Sequence, residues 1–221
     1  NDDVHSKPKF HISYSLNDRT RSFLKIQDGC DCYCSYCIVP YARGNSRSAK
    51  IKEVEKAVDE ITLSGFNEIV LTGINLGDFG KDNNESFVDL LNKISLNPKL
   101  KRIRISSLEP HHFDEKLFDT FINNKKIMPH FHIPIQSGDD NTLERMGRKY
   151  KREKIKNICD ILSNNIPNVC IAADIIAGFS GETDEEFNST YEFLSSLPLA
   201  YMHVFTFSSR EKTKASTLPN H

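Results

Sequence analysis

Residues 26–44 read IQDGCDCYCSYCIVPYARG, and they follow without a break on the apolar run SFLKI from Ser22. Within them Cys30, Cys34 and Cys37 are spaced C-x3-C-x2-C. Three thiolates from one tight loop can hold three irons of a cubane iron–sulfur cluster. The fourth iron then has no protein ligand, and a small molecule completes its coordination. Two other readings of the loop stand beside this one. Cys32 brings the thiols in the loop to four, enough for a structural zinc site, although zinc sites commonly draw paired ligands from two separated segments. A disulfide is the weaker alternative: no secretory signal is visible, and Cys159 and Cys170 fall in a predicted helix and strand, where a buried free thiol is ordinary.

Working outward, short apolar runs alternate with amphipathic stretches along nearly the whole chain. The runs are SFLKI from Ser22, EIVLT from Glu68, RIRIS from Arg102, FHIPI from Phe131, CIAADII from Cys170 and YMHVFTF from Tyr201. The clearest helix has Ser48 as a cap, Ile51, Val54, Val58 and Ile61 at helical spacing, and Gly65 as its end. Others are predicted from Phe87 to Ile94, Asp114 to Asn124, Arg152 to Ser163 and Thr183 to Ser196, the last opened by acidic residues that favour a helix start. Strict alternation of this kind predicts an α/β fold with parallel strands and right-handed crossovers. Six units are too few for a closed eight-fold barrel, so a partial, open (β/α)6 barrel is expected. Chemistry in α/β barrels gathers in the loops after the strands, where the cysteines lie. The competing doubly wound sheet wants a glycine-rich phosphate turn after its first strand, and none is there.

The chain has 221 residues, 38% hydrophobic and 27% charged, enough for one good core. Its net charge of −1 gives no overall basic signature for nucleic-acid binding. Two local clusters are basic: Lys99, Lys101, Arg102 and Arg104, and Arg145, Arg148, Lys149, Lys151 and Arg152. Either can be a solvated face. No apolar stretch approaches the roughly 20 residues that span a bilayer, and free cysteines suit a reducing cytoplasm. The start at Asn1 and the polar run to Arg21 suggest a piece of a longer protein, with 1–20 a lead, 21–208 the folded domain and 209–221 a linker.

The cysteine spacing, Tyr36 before the last cysteine and the following IVPYARG resemble the methylthiotransferase branch of the radical S-adenosylmethionine enzymes. Later segments extend the resemblance: LTGINLGDFG from Leu71, SSLEP from Ser106, HIPIQSG from His132, LERMGRKY from Leu143, DIIAGFSGET from Asp174 and HVFTFSSREKTKA from His203. It implies a 4Fe-4S cluster on Cys30, Cys34 and Cys37, with Cys32 a bystander at a position the family usually fills with asparagine. S-adenosylmethionine is then expected among Tyr36, Thr72, Gly73, Asn75, Ser107, Glu109 and Gln136. Arg148 is the candidate to pair with the methionine carboxylate, since guanidinium binds carboxylate through two hydrogen bonds, and Arg145 is the runner-up. Ser180 and Lys212 stand where the family has proline and glycine, and Lys212 suggests a different course for its loop. His203 is read as a strand histidine with a structural partner.

The activity implied is reductive cleavage of S-adenosylmethionine, used to methylthiolate carbon 2 of N6-threonylcarbamoyladenosine beside the anticodon of a tRNA. Isopentenyladenosine in tRNA and an aspartate of a ribosomal protein are the family's other targets. A different class, a zinc-binding module that recognises RNA or protein without catalysis, is the alternative. The resemblance further implies a second 4Fe-4S cluster in an amino-terminal domain, an RNA-binding β-barrel after this domain, and an electron donor such as flavodoxin or ferredoxin. A sulfur donor, a monomeric cytoplasmic enzyme, and an isolated piece that cleaves the cofactor without completing methylthiolation also follow. Arg145, Lys149, Lys151 and Arg152 are the candidates to contact tRNA phosphates.

Overall fold

The parallel strands other than the last turn apolar residues toward the helices, and that pattern sets the architecture. The computed structural model describes residues 10–16 and 20–218. In it Ile69, Leu71, Ile103, Phe131, Ile133, Ile171 and Ala173 share one core with Val54, Val58, Leu90, Leu117 and Ile158 of the helices. The strands are β1 (Ser13–Tyr14), β2 (Ser22–Lys25), β3 (Gln27–Asp28), β4 (Arg47–Ser48), β5 (Glu68–Thr72), β6 (Arg102–Ile105), β7 (His130–Gln136), β8 (Cys170–Ala177) and β9 (Tyr201–Thr206). The helices are α1 (Val39–Arg43), α2 (Ile51–Leu63), α3 (Phe87–Ile94), α4 (Glu115–Asn123), α5 (Asp140–Arg145), α6 (Arg152–Asn165) and α7 (Asp184–Ser195).

Strands β2, β5 and β6 are parallel neighbours in one sheet, and β7, β8 and β9 in another. The sheets meet where a parallel bridge joins Ile103 to Ile127 and the Leu108 N–H donates to the His132 carbonyl at 3.0 Å. The six strands marked by periodicity thus follow one another as a partial, open (β/α)6 barrel, with β1 and β9 at its ends. No helix among the described residues is long and apolar enough to cross a membrane.

Three local expectations change. The lead before Arg21 contributes β1, which pairs antiparallel with β2, and Phe10, Ile12 and Tyr14 pack on the core; residues 1–9 and 17–19 lie outside the described set. The segment after Ser208 is also more than a linker, because Ala215 is fully buried and its N–H donates to the Ser35 carbonyl at 2.7 Å; residues 219–221 again lie outside the described set. Ser48 does not cap α2. It lies in β4, where its hydroxyl donates to Asp82 Oδ1 at 2.8 Å and accepts from the Gly80 N–H at 2.9 Å, while Lys50 is the N-cap and its N–H meets Glu53 Oε2 at 2.8 Å. Helix α7 does open as its sequence suggests, through reciprocal bonds between Thr183 and Glu186.

The inner face of the strands, opposite the helices, is polar. Near its start Glu68, whose side chain is 8% exposed, receives Arg102 Nε and Arg104 Nε at 2.5 Å each. Burial raises the Glu68 pKa, but the hydrogen bonds from Arg102 and Arg104 outweigh it and hold the carboxyl below its usual range. The folded-state value therefore lies below the unfolded one, so the stabilisation is full above the unfolded value and is lost as pH falls through the folded one. Because Arg102 is half exposed, Glu68→Gln should destabilise by a modest ~1–3 kcal/mol at neutral pH. In urea denaturation the gap between wild type and variant should narrow as pH falls below the ordinary carboxylate value of 4.5. A gap independent of pH would contradict this reading of Glu68.

Candidate iron–sulfur and cofactor site

The cysteine loop is closed at its base by pairing of β3 with β4, Gln27 opposite Ser48 and Asp28 opposite Arg47. Asp28 is bound there by Lys25 at 2.9 Å and Arg47 at 3.1 Å. Gly29 makes the turn at φ +73°, where a Cβ would lie 2.1 Å from the Asn45 carbonyl oxygen, so no other residue fits without moving the backbone. At the far side Ser35 is held from two directions. Its N–H donates to the Met146 carbonyl at 2.9 Å, and its carbonyl accepts from Ala215. Segments more than 100 residues apart in sequence therefore fix the loop.

All six cysteines are free thiols. The Cys32 N–H approaches Cys30 Sγ at 3.4 Å, Asn75 Nδ2 approaches Cys32 Sγ at 3.6 Å, and Arg148 Nη1 donates to Cys34 Sγ at 3.2 Å. Four thiolates on one zinc ion, at about 2.3 Å each, stand roughly 4 Å apart. Among the described residues no three cysteine sulfurs lie within 4.8 Å of one another. Thiolates on separate irons of a cubane stand farther apart than those on a single ion, so this donor set fits a cluster better than zinc. The hydrogen bond with Cys32 lowers the Cys30 pKa to about 7, whereas burial raises Cys34 and Cys37. The Arg148 charge beside Cys34 opposes that rise and favours the thiolate that iron requires.

Arg148 is 4% exposed and touches five groups: Cys34, the Tyr36 hydroxyl at 3.3 Å, the Tyr150 hydroxyl at 2.7 Å, the Pro134 carbonyl at 3.1 Å, and the Glu109 carboxylate, with which it forms an ion pair. Burial raises the Glu109 pKa against the pull of Arg148. The structure thus gives Arg148 a carboxylate from the protein itself, where the sequence had offered it to a cofactor. Tyr36 also meets Phe179 edge-on.

The other marked residues fall on the same end of the barrel, in differing states. Thr72 ends β5, and Gly73 is compelled by packing, since a Cβ would meet Gln27 Oε1 at 2.9 Å. Asn75 is buried and bonded within the protein. Its N–H meets Gln27 Oε1 at 2.8 Å, its Nδ2 meets Asp78 at 3.1 Å, and its Oδ1 accepts from His112 Nε2 at 3.0 Å. Burial lowers the His112 pKa to about 4, which favours the neutral ring, and the Asn75 oxygen as acceptor puts its proton on Nε2. Ser107 bonds His132 at 2.7 Å, and Gln136 ends β7 at a left-handed φ of +70°. Arg145 pairs with Glu186 through two bonds, at 2.8 and 2.5 Å, so any contact with a phosphate or a cofactor would compete with that carboxylate. Arg152 lies 3.4 Å from Ser189, while Lys149 and Lys151 are exposed. Lys212 keeps φ +67°, the left-handed conformation that favours glycine, so its loop retains a glycine-type turn. The sequence reading assigned no role to Gln27, Asp78, His112 and Tyr150; all but His112 lay in segments quoted above, and it is their hydrogen-bond partners that were not legible there.

Residues 24–194 match the Radical SAM superfamily. The chain belongs to the radical S-adenosylmethionine superfamily. It is 40% identical over 212 residues to the threonylcarbamoyladenosine tRNA methylthiotransferase MtaB of Rickettsia prowazekii (strain Madrid E), a match covering 95% of this chain and 50% of the relative. It is 35% identical over 210 residues to the tRNA-2-methylthio-N(6)-dimethylallyladenosine synthase of Natranaerobius thermophilus, covering 94% of this chain and 47% of that one. The chain spans about half the length of the curated relatives it matches. Among solved structures, the radical S-adenosylmethionine methyltransferase TsrM of Kitasatospora setae superposes with a TM-score of 0.69 at 16% identity, over 83% of this chain and 36% of that one. Methylornithine synthase (PylB) gives 0.62 at 16% identity, over 90% and 57%. These two likenesses establish the fold.

Superfamily membership implies a 4Fe-4S cluster and S-adenosylmethionine, and the thiol donor set fits the cluster. Anaerobic loading with iron and sulfide should give about four irons per chain in wild type and in Cys32→Ala, and little in Cys34→Ala or Cys37→Ala. Iron lost from Cys32→Ala would instead make Cys32 a ligand. Arg148→Ala leaves Glu109 buried without its partner and should cost about 3–5 kcal/mol in chemical denaturation; a cost below about 1 kcal/mol would show that the ion pair is not structural.

Proposed function

We propose that this chain is the radical domain of a tRNA methylthiotransferase acting on carbon 2 of N6-threonylcarbamoyladenosine next to the anticodon. The observation that carries the reading is the cysteine loop at the strand ends, joined to 39–40% identity with threonylcarbamoyladenosine tRNA methylthiotransferases across 90–95% of the chain. The dimethylallyladenosine enzymes at 35–37% identity support a second reading, the same reaction on a different adenosine.

In this reading Cys30, Cys34 and Cys37 hold the cluster, which with S-adenosylmethionine supplies the electron transfer and radical chemistry that activate the substrate C–H bond. The protein's part is to position and to exclude. Arg148 keeps Cys34, Tyr36 and Glu109 in fixed relation, and the buried rings of Tyr150 and Phe179, with the partly buried Tyr36, keep water from the reacting centre. A base in a single-stranded anticodon loop is splayed out at less cost than one in a duplex. Lys149 and Lys151, exposed beside the site, suit the flanking phosphates, whereas Arg145 is engaged by Glu186.

Nucleosides from cellular tRNA, compared by mass spectrometry with and without the full-length gene, test the proposal. Loss of 2-methylthio-N6-threonylcarbamoyladenosine, with its precursor rising, is the expected result. Loss of the methylthio form of isopentenyladenosine would favour the second reading, and unchanged tRNA would contradict both.

A further inference from the structure

A polar chain runs from Ser107, after β6, across the inner wall of the second sheet, and its Asp174 and His203 have been given no part in the cofactor site. Ser107 Oγ bonds His132 Nδ1 at 2.7 Å, His132 Nε2 reaches Asp174 Oδ1 at 3.1 Å, and His203 Nδ1 reaches the same oxygen at 3.2 Å. Asp174 and His203 are register partners on β8 and β9, and the residues flanking Asp174, Ala173 and Ile175, are buried in the core. The carboxylate therefore points to the face without helices. Among the described residues Asp174 Oδ2 and His203 Nε2 have no hydrogen-bond partner. His203 is flanked by the rings of Tyr201, at 5.4 Å, and Phe205, at 6.4 Å, both large and exposed. Along β7, His132 is two residues from Pro134, whose carbonyl Arg148 binds, a step of roughly 7 Å.

We propose that Asp174 and His203, with Tyr201 and Phe205 beside them, form the site that receives the target purine of a single-stranded RNA. This rests on the tRNA reading above and deepens it. Proteins read unpaired bases by hydrogen bonds to the base edge and by stacking on aromatic rings. Asp174 Oδ2 accepts from an exocyclic N–H, His203 Nε2 meets a ring nitrogen in the role its tautomer allows, and the exposed rings supply the stacking surface. Ser107 and His132 hold the carboxylate in place. The carboxylate that would hold the base is linked through His132 to β7, the strand whose Pro134 carbonyl Arg148 binds.

The test uses the full-length enzyme and an anticodon stem–loop RNA. Asp174→Asn and His203→Ala should each raise the RNA KM at least tenfold, while S-adenosylmethionine cleavage without RNA and cluster iron stay within twofold of wild type. His203→Gln, which puts a hydrogen-bonding amide in place of the ring nitrogen, should recover part of the affinity, as a folding defect would not. An unchanged KM, or cofactor cleavage falling in parallel with it, would overturn the inference. So would a divalent metal ion bound outside the cluster in wild type and absent from Asp174→Asn, because His132, Asp174 and His203 also present three ligand atoms within 4.8 Å. A wild-type enzyme inert on every tRNA would overturn the functional reading itself, and this inference with it.

Discussion

One buried guanidinium ties the cysteine loop to the barrel. Arg148 binds a thiol and a phenol of the loop, a carboxylate after β6, a carbonyl within β7, and Tyr150 two residues on. The two sheets share one apolar core and meet near β6 and β7 through the Ile103–Ile127 bridge and the Leu108–His132 and Ser107–His132 hydrogen bonds, and the loop itself has one short helix, α1. A cation withdrawn from water is tolerable only when its donors are met, and here the partners come from four segments of the chain. The cost of burying the charge is thereby tied to one arrangement of all of them.

The remaining supports of the loop are steric and backbone in character. Gly29 turns where a side chain would strike Asn45, the β3–β4 pair closes the base, and Met146 and Ala215 hold Ser35 from opposite sides. Beside it, Gln27, Asn75, Asp78 and His112 form a buried network with few spare donors or acceptors. Groups bonded in this way rigidify a site. Openness lies lower on the inner wall, around Asp174 and His203, where exposed polar atoms and aromatic rings face the space inside the strands.

The regular parts of this arrangement were legible in the sequence because they depend on local periodicity. The six parallel strands and the helices from Ile51, Phe87, Glu115, Arg152 and Asp184 follow from apolar spacing alone. Elements fixed by distant partners were not. Nothing local in Ser13–Tyr14 signals pairing with β2, and Ser48 looks like a helix cap until Asp82 and Gly80 claim its hydroxyl. Arg145 and Arg148 sit in one motif and look alike as cations. Glu186 and Glu109, from separate elements, decide that each is already paired. Asn75 reads as an open polar contact, yet His112, 37 residues away, takes its carbonyl.

The central claim is that three loop cysteines leave one iron free for the cofactor while Cys32 stands aside. Electron paramagnetic resonance of the reduced, iron-loaded protein tests it most directly, recorded with and without S-adenosylmethionine. The account predicts a 4Fe-4S signal whose shape changes when S-adenosylmethionine binds the open iron, in wild type and Cys32→Ala alike. A signal indifferent to S-adenosylmethionine, or no cluster signal in a protein that instead holds zinc, would contradict it.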